Sequence, residues 1–166
     1  MNLEWMGRNR EFIRLLMKYV NLFSHYGNKT ATTQSVISLT AQQWQTLECI
    51  IEYEDDVKNM VFMANQLGVP KSTFSKYVGL LVDQGLVERY QQTDNRKDII
   101  LKPTDKGRVF YKERSRIILE AAWSEPFTIL EKFSDNEMEV LVEFMAKMVA
   151  DLEPENNKAR TLFKLQ

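Results

Sequence analysis

The first predicted helix carries a broad apolar face. Between Trp5 and Phe23, apolar residues recur three or four positions apart and form two adjacent rows. A helix with so much apolar surface needs neighbours on more than one side. Gly27 and Asn28 end it, and the connector 28–38 is polar and without periodicity. The two rows comprise Phe12, Leu16, Tyr19 and Phe23, and Ile13, Met17 and Val20.

Three further helices follow in quick succession. Thr40 and Gln43 fit a capping box at the start of the second helix, whereas the segment before the third has no clear capping residue. Gly68 ends the third helix and Gly85 ends the fourth. The fourth helix turns Phe74, Val78, Leu81 and Val82 towards the core. The three helices are predicted over about 40–54, 60–67 and 70–85.

A β-hairpin and a fifth helix are predicted next. The β-leaning runs 86–90 and 98–101 flank a polar, charged segment, which predicts a hairpin with a long exposed tip. Thr104 opens a fifth helix that continues through Ala121. Pro126 must end or kink this helix because proline has no N–H.

The last helix is also strongly amphipathic. Ser134 and Glu137 form a second capping box before it, and the tail 153–166 is expected to be loosely held. Both the first and the last helix thus carry surplus apolar surface. Either their own domain or a second copy of the chain would cover it. The stripe of the last helix comprises Met138, Leu141, Val142, Met145, Val149 and Leu152.

Composition places the chain among folded proteins with one domain. Its 166 residues are 44% hydrophobic and 27% charged, which is enough apolar content for a sizeable core. No run approaches the length of a membrane span and the N-terminus lacks a signal-peptide core, so we expect a cytoplasmic protein without a membrane partner. Cys49 is the only cysteine, which excludes an internal disulfide and agrees with a reducing compartment. With a formal net charge of -1, any nucleic-acid contact must come from a local patch.

The third and fourth helices fit a helix-turn-helix. In this motif the second helix enters the DNA major groove by its N-terminal end. Small Ala64 would let the two helices cross closely, and Gly68 permits the positive φ of a tight turn. The alternative without a ligand is that the hydroxyls only cap the fourth helix and the lysines form a solvated surface. Cations and hydroxyls at the exposed start suit phosphates and base edges, and they are Lys71, Ser72, Thr73, Ser75 and Lys76.

The hairpin adds positive charge to the same region. From Gly68 to Lys97 there are five cations and three anions, a local charge of +2 in a chain of -1. Arg96 at the tip could reach a minor groove, and Asp94 could brace the loop. The alternative is an ordinary surface turn with an ion pair of little value. The cations are Lys71, Lys76, Arg89, Arg96 and Lys97.

Several segments resemble the MarR family of winged-helix transcriptional regulators. The most specific are Gly85-Leu86-Val87-Glu88-Arg89, Asp94-x-Arg96 and Thr104-Asp105-Lys106-Gly107, within a resemblance covering most of 39–152. The resemblance implies a mainly α fold with a small β-hairpin wing. It also implies a bacterial homodimer with interlocked terminal helices that binds pseudo-palindromic double-stranded DNA, most simply as a repressor. The single MarR-like domain would comprise a winged helix-turn-helix at about 39–104, dimerisation helices at about 3–26 and 105–152, and the tail 153–166.

Two residues depart from the family pattern. Pro70 stands where a capping serine is common, although proline is tolerated in the first turn of a helix. Gly79 lies inside the recognition helix, where glycine is about 1 kcal/mol less favourable than alanine.

Candidate ligand sites are weaker. Many relatives respond to small phenolic or lipophilic effectors, and four aromatic residues could line a pocket for such a molecule. All four lie on apolar helical rows, so core packing is the preferred interpretation for each of them. They are Phe12, Tyr19, Phe23 and Trp44.

The sequence shows no pattern typical of an enzyme or of a cofactor site. Cys49 lies in an apolar helix and is expected to be a buried, inert thiol. With His25 as the only histidine there is no plausible zinc cluster, and no phosphate-binding glycine loop is present, so we expect neither enzyme activity nor a cofactor. Two alternatives to DNA binding stay open. They are a winged-helix module that binds a protein, and a cysteine-based redox sensor of the same fold.

Overall fold

A computed structural model of the protein describes residues 4–26, 37–56, 58–91 and 98–153. These residues form seven α-helices and one antiparallel two-stranded sheet, which confirms the predicted fold class. The chain divides into two compact units, Met1–Tyr111 and Lys112–Gln166. The helices are α1 (Arg10–Tyr26), α2 (Ala41–Glu52), α3 (Met60–Gln66), α4 (Lys71–Asp83), α5 (Asp105–Ile118), α6 (Ser124–Leu130) and α7 (Asp135–Ala150), and the strands are β1 (Val87–Gln91) and β2 (Ile99–Pro103). A 3-10 helix spans Glu4–Asn9 and a π-helical segment spans Leu119–Trp123.

Side-chain caps start the helices α2 and α3. The predicted capping box of α2 is confirmed, because Thr40 Oγ1 accepts from Gln43 N at 3.3 Å and Gln43 Oε1 accepts from Thr40 N at 2.9 Å. The prediction that α3 lacks a clear cap is wrong. Asn59 Oδ1 accepts from Val61 N at 3.1 Å and from Phe62 N at 3.0 Å, which satisfies two N–H groups of the first turn.

The core of the first unit lies between α2, α3, α4 and the hairpin. Full burial of one large apolar side chain contributes about 1.5–3 kcal/mol to the free energy of unfolding. Ala64 of α3 is buried. Gly68 has a φ of 63°, as the predicted tight turn requires. Phe74 and Val78 point inward from α4, as predicted. The largest fully buried residues are Leu47, Ile50, Met63, Phe74, Leu81, Leu86 and Leu101.

The turn between α4 and β1 is held by the start of α5. Gly85 has a φ of 70°, and its carbonyl accepts a hydrogen bond from Thr104 Oγ1 at 2.7 Å. The Leu86 carbonyl accepts from Thr104 N at 3.0 Å. Thr104 Oγ1 in turn accepts from Gly107 N at 2.9 Å. A β-carbon on Gly107 would stand only 2.1 Å from the Leu86 oxygen, so this helix turn approaches the strand as closely as glycine allows.

The two strands pair in a register that turns Arg89 towards the helical layer. Val87 pairs with Pro103 and Arg89 pairs with Leu101. Because alternate residues share one face of a strand, Arg89 lies on the same face as buried Val87. The hairpin tip, residues 92–97, lies outside the described residues.

Three segments stand where the sequence predicts one long fifth helix: α5, the π-helical segment and α6. The prediction that this α-helix continues through Ala121 is wrong, because α5 ends at Ile118 and the pairing widens, with Ser124 N donating to Leu119 O. Pro126 provides no N–H to the preceding turn and lies in the first turn of α6, where its loss is tolerated. The capping box before α7 is confirmed, with Ser134 N donating to Glu137 Oε2 at 2.8 Å.

The terminal helices expose large apolar side chains. On α1, Tyr19 is 55% exposed, and on α7, Val142 is 60% exposed. None of the described residues from Lys112 onwards is buried. Tyr19 on α1, and Val142 and Val149 on α7, belong to the predicted apolar faces, whereas Met138 and Leu141 of the predicted α7 stripe are half-buried and exposed Val140 lies outside that stripe.

Alanine substitution at two glycines separates close approach from simple helix propensity. We expect Gly107→Ala to lower the free energy of unfolding by about 1–3 kcal/mol, because the new methyl group collides with the Leu86 carbonyl. Gly79→Ala is the matched control, since its β-carbon meets only Arg89 Nη2 at 3.7 Å, and it should raise the stability by up to about 1 kcal/mol. Urea unfolding at one fixed protein concentration measures both. Equal effects of the two changes would contradict the close approach.

Candidate nucleic-acid interface

The start of α4 is an exposed helix end with hydroxyl and ammonium groups. Pro70 is the N-cap and no side chain caps the helix, so the first backbone N–H groups have no intrahelical partner. The interpretation of Ser72 and Thr73 as capping residues is therefore not supported. Buried Phe74 and Val78 fix the opposite side of the helix to the core. Of the five predicted residues, Thr73 is half-buried, and Lys71, Ser72, Ser75 and Lys76 are exposed.

Three cations outside α4 have acceptor groups of the fold as partners. Lys102 Nζ donates to the Glu54 carbonyl at 2.8 Å, and Lys106 Nζ donates to the Gln84 carbonyl at 2.6 Å. Arg108 pairs with Glu54 Oε2 at 2.8 Å. Such contacts tie these cations to the fold. Within the part of the chain that the structure describes, no ion pair involves Lys71, Lys76 or Arg89.

Arg89 reaches α4 from the hairpin. Its Nη2 lies 3.7 Å from the point where a β-carbon on Gly79 would stand. Gly79 follows Ser75 by one helical turn, so the guanidinium lies beside the same helix that presents the two lysines. The structure thus brings together six of the nine residues predicted to contact DNA. The other three, Asp94, Arg96 and Lys97, lie outside the described residues, and the DNA contacts of all nine stay predictions.

The aromatic candidates for an effector pocket are not gathered at one place. Tyr19 and Phe23 stack on each other along α1 with centroids 6.0 Å apart. Trp44 stacks on Tyr111 at 5.0 Å and contacts Phe110 at 6.4 Å. These contacts support packing as the role of Trp44. Phe12, the fourth candidate, is 47% exposed on α1.

Tyr111 carries a polar link within this aromatic cluster. Its hydroxyl donates to Glu48 Oε1 at 2.9 Å. Burial, together with this hydrogen bond to a carboxylate, raises the pKa of Tyr111 to about 12. The phenol is therefore neutral at physiological pH and holds α5 to α2 as a hydrogen-bond donor.

Cys49 has the environment of an unreactive thiol. It is 3% exposed, and its Sγ lies 4.0 Å from the Met63 carbonyl oxygen. Burial, with smaller contributions from Glu52 and Glu48, raises the pKa of the thiol to about 11. Since the thiolate is the reactive form, the redox-sensor alternative loses its chemical basis.

Neither a metal cluster nor a membrane span occurs in the described ranges. No group of three or more His, Cys, Asp or Glu side chains there could hold a metal ion. No helix in those ranges has the length and apolar content needed to cross a bilayer.

The short helix α3, the tight turn at Gly68, the exposed helix α4 and the β1–β2 hairpin define a winged helix-turn-helix protein. In a comparison of sequences, residues 37–98 match the MarR family. The resemblance to MarR-family transcriptional regulators is thereby confirmed.

A curated relative agrees with this resemblance. The chain is 25% identical over 109 residues to the HTH-type transcriptional regulator PchR of Bacillus subtilis (strain 168). The match covers 66% of this chain and 63% of PchR, so it spans less than two thirds of that relative.

Solved structures extend the likeness of the fold to most of the chain. The transcriptional regulator SlyA has a TM-score of 0.62 at 20% identity, covering 85% of this chain and 93% of SlyA. Streptococcus pneumoniae FabT, solved in complex with DNA, has a TM-score of 0.60 at 17% identity, covering 88% of this chain and 98% of FabT. At these identities the likeness establishes the fold.

The environment of Cys49 predicts slow alkylation. At neutral pH a thiol with a pKa of about 11 has roughly 100-fold less thiolate than one near 9, and burial slows access further. We expect iodoacetamide to modify the native protein at least about 100-fold more slowly than the urea-unfolded protein, as followed by mass spectrometry. Modification at the same rate in both states would restore the redox-sensor alternative.

Proposed function

We propose that this chain is a sequence-specific DNA-binding transcriptional regulator that acts as a homodimer. The observation that carries the proposal is the exposed, cationic start of α4. There the ammonium groups of Lys71 and Lys76 form no ion pair with described residues, while other cations nearby are engaged in the fold. Unpaired cations and free N–H groups at a helix end are the groups that phosphates and base edges accept.

Charge and fold together favour DNA over a protein partner. The formal net charge of the chain is -1, so a polyanion is attracted only where cations are concentrated. The structural neighbour FabT is solved in complex with DNA. The wing residues Asp94, Arg96 and Lys97 would extend the same surface into an adjacent groove.

The exposed apolar faces of α1 and α7 support dimerisation. A monomer would leave large side chains of both helices in water, among them Tyr19, Val142 and Val149, each more than half exposed. A second copy of the chain is the occupant that places two identical recognition helices about 34 Å apart, the repeat of B-DNA. We therefore infer a twofold dimer that binds a pseudo-palindromic operator.

Regulation completes the proposal. A dimer bound at an operator would act most simply as a repressor, because it would occupy the DNA that a polymerase must reach. A small aromatic or lipophilic effector could release it, and the aromatic rings of α1 are the candidate contacts for such a molecule. The protein would act in the cytoplasm without enzymatic activity.

A salt-dependent gel shift tests DNA binding. We expect the protein to retard DNA from upstream of its own gene, with an affinity that falls steeply as salt rises. Lys76→Ala should reduce the log-log slope by about 0.9 for each phosphate that is no longer neutralised, and so by about 1.8 in a dimer that carries the change twice. Lys112→Ala, which removes an exposed lysine from the second unit, is the matched control and should leave the slope unchanged.

Two results would count against DNA binding. One is the absence of a retarded band on every promoter fragment tested. The other is an affinity that does not depend on salt, which is the behaviour expected of a winged-helix module that binds a protein.

A charge on the apolar face of α7 tests the dimer. We expect Val142→Glu to shift the protein from dimer to monomer in sedimentation experiments, because the carboxylate would be desolvated at the interface. Val140→Glu is the matched control. With about 100° between successive residues, Val140 lies about 160° from Val142 around the helix. It lies on the side of Glu143 and Lys147, and its substitution should leave the dimer intact. A parent protein that sediments as a monomer at micromolar concentration would contradict the dimer.

A further inference from the structure

The glycine inside the recognition helix has one neighbour. A β-carbon built on Gly79 would meet Arg89 Nη2 at 3.7 Å, and no other atom of the described residues comes within 4 Å of it beyond the helix's own backbone and adjoining residues. Gly79 has no positive φ, so its backbone does not require glycine. No backbone of another element needs the space either. The Arg89 guanidinium is therefore the only neighbouring group at the edge of the space that a side chain on Gly79 would fill.

The backbone of Arg89 is held in the hairpin, and its guanidinium lies beside α4. Its backbone pairs with Leu101 in the hairpin, and its face of the strand is turned towards α4. Its side chain belongs to no ion pair among the described residues. A long side chain usually loses rotamer freedom when it binds a ligand, which costs conformational entropy. The Arg89 guanidinium already lies beside α4, so less of this freedom would be lost on binding.

The location of Gly79 connects this contact to the DNA-facing side of α4. Ser72, Ser75 and Gly79 follow one another at spacings of three and four residues, so they line one side of the helix. The first two are exposed. Arg89 therefore lies one turn beyond the residues proposed to meet bases, where the DNA backbone borders the groove.

We propose that Gly79 is a positioning residue, whose missing side chain lets the Arg89 guanidinium lie against the recognition helix and reach a DNA phosphate beside the bases that face Ser75. The proposal rests on the DNA-binding function proposed above. It explains why a residue that weakens a helix occurs in the middle of this one. It also predicts that a long side chain at position 79 raises stability and lowers DNA affinity.

The test compares side chains of increasing size. Gly79→Ala places a methyl group at ordinary contact distance and should leave the affinity unchanged while it raises the melting temperature. Gly79→Met adds a good helix former that extends into the volume of the guanidinium. It should also raise the melting temperature, yet weaken binding at least about tenfold for each half-site, the loss expected for a charged hydrogen bond. Gly79→Gln, of similar length and helix preference, repeats the test with a polar side chain.

Salt dependence and a double-mutant cycle identify the mechanism. Arg89→Ala and Gly79→Met should each lower the log-log salt slope by about 1.8 for the dimer, because each leaves the same two phosphates without a cation. Combining Gly79→Met with Arg89→Ala should weaken binding no further than Arg89→Ala alone.

Each other outcome overturns the proposal in a recognisable way. If the effects of Gly79→Met and Arg89→Ala on affinity multiply in the double variant, the methionine obstructs DNA directly. Unchanged binding by Gly79→Met shows that Arg89 does not need the space. Unchanged binding by Arg89→Ala, with Lys76→Ala still impaired, removes this inference but leaves the DNA-binding function standing. If the parent protein binds no promoter fragment, both fail together.

Discussion

The contact between the Leu86 carbonyl and Gly107 determines how the groups proposed to face DNA are held. Because a β-carbon on Gly107 would stand 2.1 Å from that oxygen, no other residue fits without movement of the backbone. Thr104 reinforces the contact through hydrogen bonds to Leu86 O and Gly85 O. The end of α4, the start of β1 and the start of α5 thereby become one rigid corner. The corner sets the direction in which α4 runs relative to β1, and so it orients the helix that carries Lys71 and Lys76 relative to the strand that carries Arg89.

Around this corner the cations have two different roles. Lys102, Lys106 and Arg108 satisfy carbonyl or carboxylate oxygens at element ends, where they tie the loops to the helices. Lys71 and Lys76 make no comparable contact with described residues and contribute little to stability. A chain of net charge -1 can therefore bind a polyanion at one surface while repelling it elsewhere.

Sequence reasoning succeeded where the determinant is local. Capping boxes such as Thr40 with Gln43 and turns with positive φ at Gly68 depend on residues within one turn, so their pattern is readable directly. Asn59 was missed because its acidic surroundings conceal a single capping amide. The widened turn before Pro126 was missed because a missing N–H does not say how the preceding residues will pair. The contact of Gly79 with Arg89 depends on strand register, which the sequence of either element alone does not determine.

The proposed dimer and the proposed DNA binding depend on each other for a quantitative reason. A single helix end with its two lysines and the neighbouring Arg89 would neutralise only a few phosphates, which is the range of weak, nonspecific binding. Two copies joined by the apolar faces of α1 and α7 would present this surface twice and would make the second binding event intramolecular, at an effective concentration set by the dimer geometry. In the proposed function, the exposed apolar surface of the terminal helices thus compensates for the small number of cations on each winged region. The corner at Gly107 would give both copies the same orientation of α4, without which a second copy would bring no gain in specificity.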